Sequence, residues 1–116
     1  MGKSRGATGL ARELKRGTLE MILLRILVER PMYGYELVSE LEERSGGRFP
    51  LKEGTLYPVL YRLEDQGSIE PEWQQPKRGV PRKYYRLTDR GAERLDQLRT
   101  EWEAFSRSVS GLLAED

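Results

Sequence analysis

Apolar residues recur at helical spacing in the first 45 residues of the chain, and the pattern predicts two helices. The first is indicated by apolar positions at i, i+3 and i+4 intervals, namely Leu19, Ile22, Leu23, Ile26 and Leu27. Thr18 is a suitable N-cap and Pro31 stops a helix, so we expect this helix to run from residue 18 to about residue 30. A second helix is predicted from near Met32 or Tyr33 to the stop signal Ser45-Gly46-Gly47.

A third predicted helix, from Lys52 to Gly67, has two different faces. One face is apolar and consists of Leu56, Val59, Leu60 and Leu63. The opposite face carries Gly54, Tyr57, Pro58, Tyr61 and Arg62. Pro58 has no N–H to donate and should bend the early part of the helix. Exposed tyrosines are common on surface helices, so this face alone does not identify a partner.

Alternating apolar and polar residues predict two β-strands, over residues 68–75 and 82–88. The loop Pro76-Lys77-Arg78-Gly79-Val80-Pro81 joins them into a hairpin. Six basic residues and one acidic residue lie from Lys77 to Arg90. Because two prolines stiffen the loop, the sequence predicts a hairpin that presents positive charge at its tip.

From Asp89 onward, with Thr88 as its cap, the chain is predicted to form one long helix. Its apolar residues are spaced 3, 4, 3, 4 and 3 apart, at Leu95, Leu98, Trp102, Phe105, Val109 and Leu112. Such a seam is typical of a helix that pairs with a second copy of itself. Trp102 is large for this position, and the sequence leaves open whether it packs in the interface or holds the two helices apart.

Positive charge is concentrated at two places, although the 116-residue chain has a net charge of only +1. Residues 1–16 and residues 72–91 each carry +4, whereas residues 17–71 carry −4 and residues 92–116 carry −3. Phosphate binding depends on local positive potential, so this distribution favours a nucleic-acid partner. Three glycines and few apolar residues in 1–16 predict a flexible basic arm there, with room for a short helical turn near Leu10–Leu14.

The composition removes most catalytic and metal chemistry. The chain has no histidine and no cysteine, and therefore lacks the commonest metal ligand, the usual general base and any thiolate. It also has no phosphate-binding loop, dinucleotide fingerprint or G-x-S-x-G motif. We expect a protein that is not an enzyme and holds no metal or cofactor. No run approaches about 18 apolar residues and no signal peptide begins the chain, so we expect a cytoplasmic protein with no membrane partner.

Together these elements predict a mostly α fold with a small β-hairpin: a winged helix-turn-helix followed by a C-terminal dimerisation helix. The expected divisions are a flexible arm (1–16), a DNA-binding domain (17–88) and a dimerisation helix (89–116). In such a fold the third helix enters a DNA groove beside the basic loop. The residues expected to contact double-stranded DNA are Tyr35, Lys52, Thr55, Tyr57, Tyr61, Arg62, Lys77, Arg78, Arg82 and Lys83. Tyr57 lies at the edge of the apolar face and also suits core packing.

Two blocks of the sequence, G-T-L-Y-P-V-L-Y-R-L-E at 54–64 and R-K-Y-Y-R-L-T-D-R-G at 82–91, resemble the PadR family of bacterial transcriptional regulators. The resemblance covers Gly17 to Leu113. It implies a homodimer that binds a pseudo-palindromic operator, more often as a repressor. In PadR-like proteins with a short C-terminal region, the last helices of two subunits enclose an apolar pore, where a tryptophan stacks on flat aromatic ligands. Trp102 matches that tryptophan, so the resemblance implies a small apolar or aromatic effector held by Trp102, Leu98 and Phe105.

Two other functions stay open from the sequence alone. A winged helix can serve as a protein-interaction module, with the acidic stretch 17–71 as its docking face. Such a module would not need the four hairpin cations Lys77, Arg78, Arg82 and Lys83. Alternatively, the chain could bind DNA without any effector, and the seam of the last helix would then only hold the dimer together.

Overall fold

The computed structural model describes residues 9–115, which form four helices and a three-stranded antiparallel sheet. In chain order the elements are α1 (Gly9–Leu27), β1 (Met32–Tyr33), α2 (Gly34–Arg44), α3 (Glu53–Asp65), β2 (Ile69–Gln74), β3 (Arg82–Leu87) and α4 (Asp89–Leu113). Strand β3 lies between β1 and β2. The mostly α fold with a small β-hairpin is as predicted. None of the helices within residues 9–115 is long and apolar enough to span a membrane.

Helix α1 is longer than predicted, because it begins at Gly9 and not near Thr18. Residues 9–16 are therefore helical and do not belong to a flexible arm, while residues 1–8 lie outside the described part of the chain. Leu10 and Leu14 lie four residues apart, on the side of the helix opposite to the buried Leu19, and good helix formers fill the positions between them. Thr18 does not cap the helix: its hydroxyl donates to the Leu14 carbonyl at 2.6 Å, as threonines do inside helices.

Strand β1 occupies the place where the second helix was expected to begin. Met32 and Tyr33 pair with Tyr85 and Tyr84 of β3, and α2 starts only at Gly34. A two-residue strand has no periodicity of its own, so no alternation in the sequence indicates it. The pairing ties the start of α2 to the hairpin and so sets the position of α2 relative to it.

A single apolar core joins α1, α2 and α3 to the sheet and to the first turns of α4. The predicted apolar face of α3 is part of it: Leu56, Leu60 and Leu63 are completely buried, and Val59 is half-buried. Burying a leucine side chain is worth about 1.5–3 kcal/mol. The core therefore anchors one side of α3 and leaves the other side facing outward.

Thr88 connects the hairpin to α4 and caps that helix, as predicted. Its Oγ1 accepts a hydrogen bond from the backbone N–H of Gly91 at 3.0 Å and donates one to the carbonyl of Gly67 at 2.6 Å. The backbone at Gly91 approaches the Ser68 carbonyl so closely that an added Cβ would overlap it. These contacts give α4 a defined direction as it leaves the hairpin.

The two halves of α4 differ in burial. Leu95 belongs to the core of its own chain and is 4% exposed, which corrects its assignment to a dimer interface. Leu98 is half-buried against the same core. Beyond Trp102, Phe105 and Leu112 are 65% and 85% exposed. The second half of α4 therefore extends away from the rest of the chain with apolar side chains in solvent.

Candidate nucleic-acid interface

The outward side of α3 carries most of the side chains predicted to contact DNA. Lys52 is the N-cap residue, and Thr55 and Arg62 are exposed on the helix. Tyr61 is 53% exposed. Pro58 lies inside the helix and is also exposed. Because the opposite side of α3 is anchored in the core, these side chains are held on a supported surface.

Tyr57 lies at the base of this surface and not on its exposed part. Its ring packs against the start of α2, where a Cβ added to Gly34 would overlap the tyrosine hydroxyl. Burial raises the pKa of Tyr57, and the neighbouring Glu53 and Tyr61 raise this pKa further. Its ring centroid is 6.0 Å from that of Tyr61. Tyr57 thus packs between α2 and α3 and supports Tyr61, in agreement with the core-packing alternative.

Lys83 joins the hairpin to α3. Its ammonium lies 5.6 Å from the ring centroid of Tyr61 and 5.3 Å from that of Tyr85. It also forms an ion pair with Glu64 at 3.3 Å. Burial raises the pKa of Tyr85 to about 12, so this tyrosine is neutral at ordinary pH. Since part of its charge is matched by Glu64, Lys83 orients the hairpin and offers less to a phosphate than a cation at the tip.

Arg82 makes a similar contact on the other side of the hairpin. Its guanidinium lies 4.8 Å from the Tyr33 ring centroid and donates to the Tyr33 hydroxyl at 3.2 Å. Tyr84 meets the Tyr33 ring edge-on, with centroids 5.2 Å apart. A cleft of 380 Å³ opens between the hairpin, α2 and α3, lined by Tyr33, Gly34, Tyr57, Tyr61, Arg82, Lys83 and Tyr85. The hairpin is therefore held beside α3 by aromatic and cationic side chains.

The tip of the hairpin presents the remaining predicted cations. Lys77 and Arg78 are exposed there. Gly79 has a φ of 97°, a backbone conformation that favours glycine and turns the chain back towards β3. Tyr35, on the first turn of α2, is likewise exposed, at 62%. The predicted DNA-contact residues thus divide into an exposed set and a supporting set, the latter consisting of Tyr57 and Lys83.

A groove of 530 Å³ beside α3 brings in side chains that the sequence patterns did not indicate. It lies between the start of α1, the α2–α3 loop and α3. Apolar residues line it (Leu19, Phe49, Pro50, Leu51 and Val59), together with Thr55 and the basic residues Arg12, Lys15, Arg16, Lys52 and Arg62. None of the described residues that line it is acidic. Residues 12, 15, 16 and 19 share one helical face, a signal that becomes visible only when α1 is known to begin before residue 18.

Trp102 lies between two hollows on the side of the molecule formed by α1 and α4. The larger, of 330 Å³, includes Leu98 and Phe105, and the smaller, of 210 Å³, includes Leu95. Met21 of α1 lines both. The three residues assigned to an effector therefore lie on one surface. Over residues 9–115, no group of three His, Cys, Asp or Glu side chains could hold a metal ion.

A family model, proteins of similar sequence and solved structures all relate this chain to transcriptional regulators. The model of the transcriptional regulator PadR-like family matches residues 23–97. The chain is 35% identical over 100 residues to the transcriptional regulator Rv3488 of Mycobacterium tuberculosis, covering 86% of this chain and 90% of that protein. It is 30% identical over 77 residues to the negative transcriptional regulator PadR of Bacillus subtilis, covering 66% of this chain and 42% of that protein.

The structural match extends over nearly the whole chain. A PadR family transcriptional regulator from Eggerthella lenta DSM 2243 has a TM-score of 0.83 at 39% identity, covering 93% of this chain and 92% of that one. These neighbours confirm the winged-helix fold, and the family consists of regulators and not enzymes, as the sequence led us to expect. The chain belongs to the PadR-like family of transcriptional regulators.

Proposed function

We propose that the protein binds double-stranded DNA as a homodimer and represses transcription by occupying a pseudo-palindromic operator. The observation that carries this proposal is the position of the exposed side of α3 next to a hairpin with Lys77 and Arg78 at its tip. A helix fits the major groove, where base edges are readable, and a basic hairpin suits phosphates or the adjacent minor groove.

The exposed residues would have different roles in such a complex. Lys52, Thr55, Tyr61 and Arg62 are the side chains on α3 that could reach base edges. Lys77, Arg78 and Arg82 would contact the sugar-phosphate backbone, as would Tyr35 from α2. Tyr57 would hold α3 in position against α2, and Lys83 would hold the hairpin in position beside α3. Only the contacts made by α3 would then discriminate between operator sequences.

Dimerisation is supported by the apolar surface that α1 and α4 leave uncovered. Trp102 is 40% exposed and Phe105 is 65% exposed, on a helix whose spacing suits pairing with a second copy. Two-fold pairing would place two α3 helices on successive major grooves, about 34 Å apart, which requires a pseudo-palindromic site. The Bacillus subtilis relative is a negative transcriptional regulator, and this supports repression as the outcome.

The proposal also includes a small apolar or aromatic effector that binds beside Trp102, between the two subunits. The hollows of 330 and 210 Å³ on either side of the indole support it. A ligand there would change the angle between the two α4 helices and so the spacing of the two α3 helices. The ligand would weaken DNA binding by at most the difference between its binding free energies for the DNA-free and the DNA-bound arrangement of the dimer.

DNA binding is tested by fluorescence anisotropy with the promoter of the protein's own gene, over a range of salt concentrations. Replacing Lys77 and Arg78 by Ala should weaken binding to every sequence and flatten the salt dependence, by roughly 0.9 per lost phosphate contact in each subunit. Thr55→Ala should instead change the preference among operator variants, by about 1–3 kcal/mol. Arg107→Ala, on the far side of α4 from the seam, is the control and should change neither. Equal binding by the hairpin variant and the parent at physiological salt would refute the proposed role of the hairpin.

A further inference from the structure

We infer that the first half of α1 is an additional DNA-contacting element, in which Lys15 and Arg16 bind phosphates on the side of α3 opposite to the hairpin. This inference rests on the proposed DNA-binding function. It adds a surface that belongs neither to the helix-turn-helix nor to the hairpin.

The two flanks of α3 face different parts of the molecule. The contacts of Lys83 with Tyr61 and Glu64 place the hairpin on one flank. Thr55, Val59 and Arg62, spaced 4 and 3 apart, form the other flank and line the groove beside α1. At about 100° per residue these two sets lie on opposite sides of the helix axis. Basic side chains therefore lie next to α3 on both sides.

The α1 wall of the groove is positively charged and available to a partner. Lys15 is half-buried and Arg16 is exposed, and Leu19, one turn further on, is anchored in the core. Arg16 forms an ion pair with Glu13 at 2.6 Å, but both side chains are more than two-thirds exposed. Exposed pairs of this kind contribute little to stability, so a phosphate can replace the carboxylate at little cost.

The apolar and basic lining of the groove would also suit a small amphiphilic anion, but DNA geometry favours a phosphate. The major groove of B-DNA is about 12 Å wide, close to the diameter of a helix with its side chains. When α3 enters it, a sugar-phosphate strand runs along each flank of the helix. The hairpin meets one strand, and the second strand would pass along the flank where Arg62 and Lys15 line the same groove.

The opposite face of α1 is free for another use. Leu10 and Leu14 are 69% and 49% exposed, and Met21 lines both hollows beside Trp102. At about 100° per residue, positions 10, 14 and 21 lie on the side of the helix opposite to positions 12, 15 and 19. A second copy of the chain on the apolar face and DNA on the basic face would therefore not compete. Helix α1 would connect the dimer seam directly to the operator.

The test replaces two charges while keeping helix propensity, with the double variant Lys15→Gln/Arg16→Gln. The control variant Arg90→Gln/Arg107→Gln removes the same amount of charge from α4. In anisotropy titrations, the slope of log K against log salt should fall by about 3–4 for the α1 variant, because four phosphate contacts are lost per dimer at roughly 0.9 each. The control should keep the parental slope. Circular dichroism should show parental helix content for both variants.

Ethylation interference distinguishes the two strands. Each variant should become insensitive to ethylation of the phosphates that its replaced side chains contact in the parent. The phosphates found in this way for the α1 variant should differ from those found for Lys77→Ala/Arg78→Ala, and should lie across the major groove from them. If the parent binds DNA and the α1 variant keeps the parental slope, the inference is wrong while the proposed function stands. Decanoate is a small amphiphilic anion and serves as the competing ligand. If it binds in the groove of the parent while DNA affinity does not depend on Lys15 and Arg16, the inference is likewise wrong and the proposed function stands. Failure of the parent to bind any DNA would overturn both.

Discussion

The body of the domain and the distal half of α4 use their leucines in opposite ways. In the body, Leu56 and Leu60 are completely buried, whereas Leu112 and Leu113 at the end of α4 are 85% and 75% exposed. Helix α4 has 25 residues and is therefore about 37 Å long, but only its first turns join the core. The body buries these apolar side chains within one chain, whereas the distal half of α4 leaves its own exposed to solvent.

This difference shows what helical periodicity does and does not predict. Both α3 and α4 have apolar residues three and four positions apart, and both patterns indicate a face to be buried. The spacing does not identify the surface against which that apolar face packs. For α3 it is the same chain, and for α4 we propose a second copy. Leu95 shows how sharply the change occurs, because it shares the α4 seam with Leu112 yet lies in the core of its own subunit.

The largest expected effect compares Leu60→Ala with Leu112→Ala. Truncating the buried Leu60 leaves a cavity and should lower the free energy of unfolding by about 2–5 kcal/mol. The exposed Leu112 should change it by less than about 0.5 kcal/mol at protein concentrations below those of dimer formation. Urea denaturation at submicromolar protein measures both. Similar losses in the two variants would show that the distal half of α4 stabilises the body of the same chain.

The next effect concerns assembly. Introducing Glu at both Phe105 and Leu112 places charges on the proposed seam, and should raise the dimer dissociation constant at least about 100-fold, or about 2.7 kcal/mol. Sedimentation velocity at micromolar concentration should then show a monomer with parental helix content. Arg107→Glu, on the opposite face of α4, is the matched control and should remain a dimer. A parent that already sediments as a monomer would remove the basis for the comparison.

The smallest effect is at Trp102, where the body and the distal half meet. In a Trp73→Phe background, stacking of acridine on the indole should quench Trp102 emission, since Trp102 is then the sole tryptophan. Calorimetry should detect binding to this variant and none to Trp102→Ala, with a loss of about 1–3 kcal/mol from the missing stacking platform. DNA binding should stay near the parental level. Unchanged acridine binding in Trp102→Ala would leave the tryptophan a packing residue only.

The sequence predicted the elements that have strong periodicity and distinct ends. Helix α3, the hairpin and α4 lie within about two residues of their expected positions, and Thr88 caps α4 as expected. The start of α1 was missed, because Gly17 and Thr18 resemble a helix boundary although both lie inside the helix. Strand β1 was missed, because two residues are too few for any period to show.

In the candidate site, too, the features that depend on a local sequence pattern were predicted and those that depend on distant neighbours were not. The exposed cations and tyrosines were predictable, because charge at a hairpin tip and on an outer helical face depends on local pattern. The supporting roles of Tyr57 and Lys83 were not, since each depends on a neighbour distant in sequence: Gly34 for Tyr57, and Glu64 for Lys83. The groove between α1 and α3 was also missed, because its two walls are about 40 residues apart in the chain.

The sequence by itself determined which faces of each helix are apolar, where positive charge is concentrated and that histidine and cysteine are absent. These properties depend only on residue type and spacing along one element. The tertiary structure decided which apolar residues serve the core and which stay exposed, and which cations lie beside α3. Those outcomes depend on how elements pack against each other, and packing brings together residues that no local period connects.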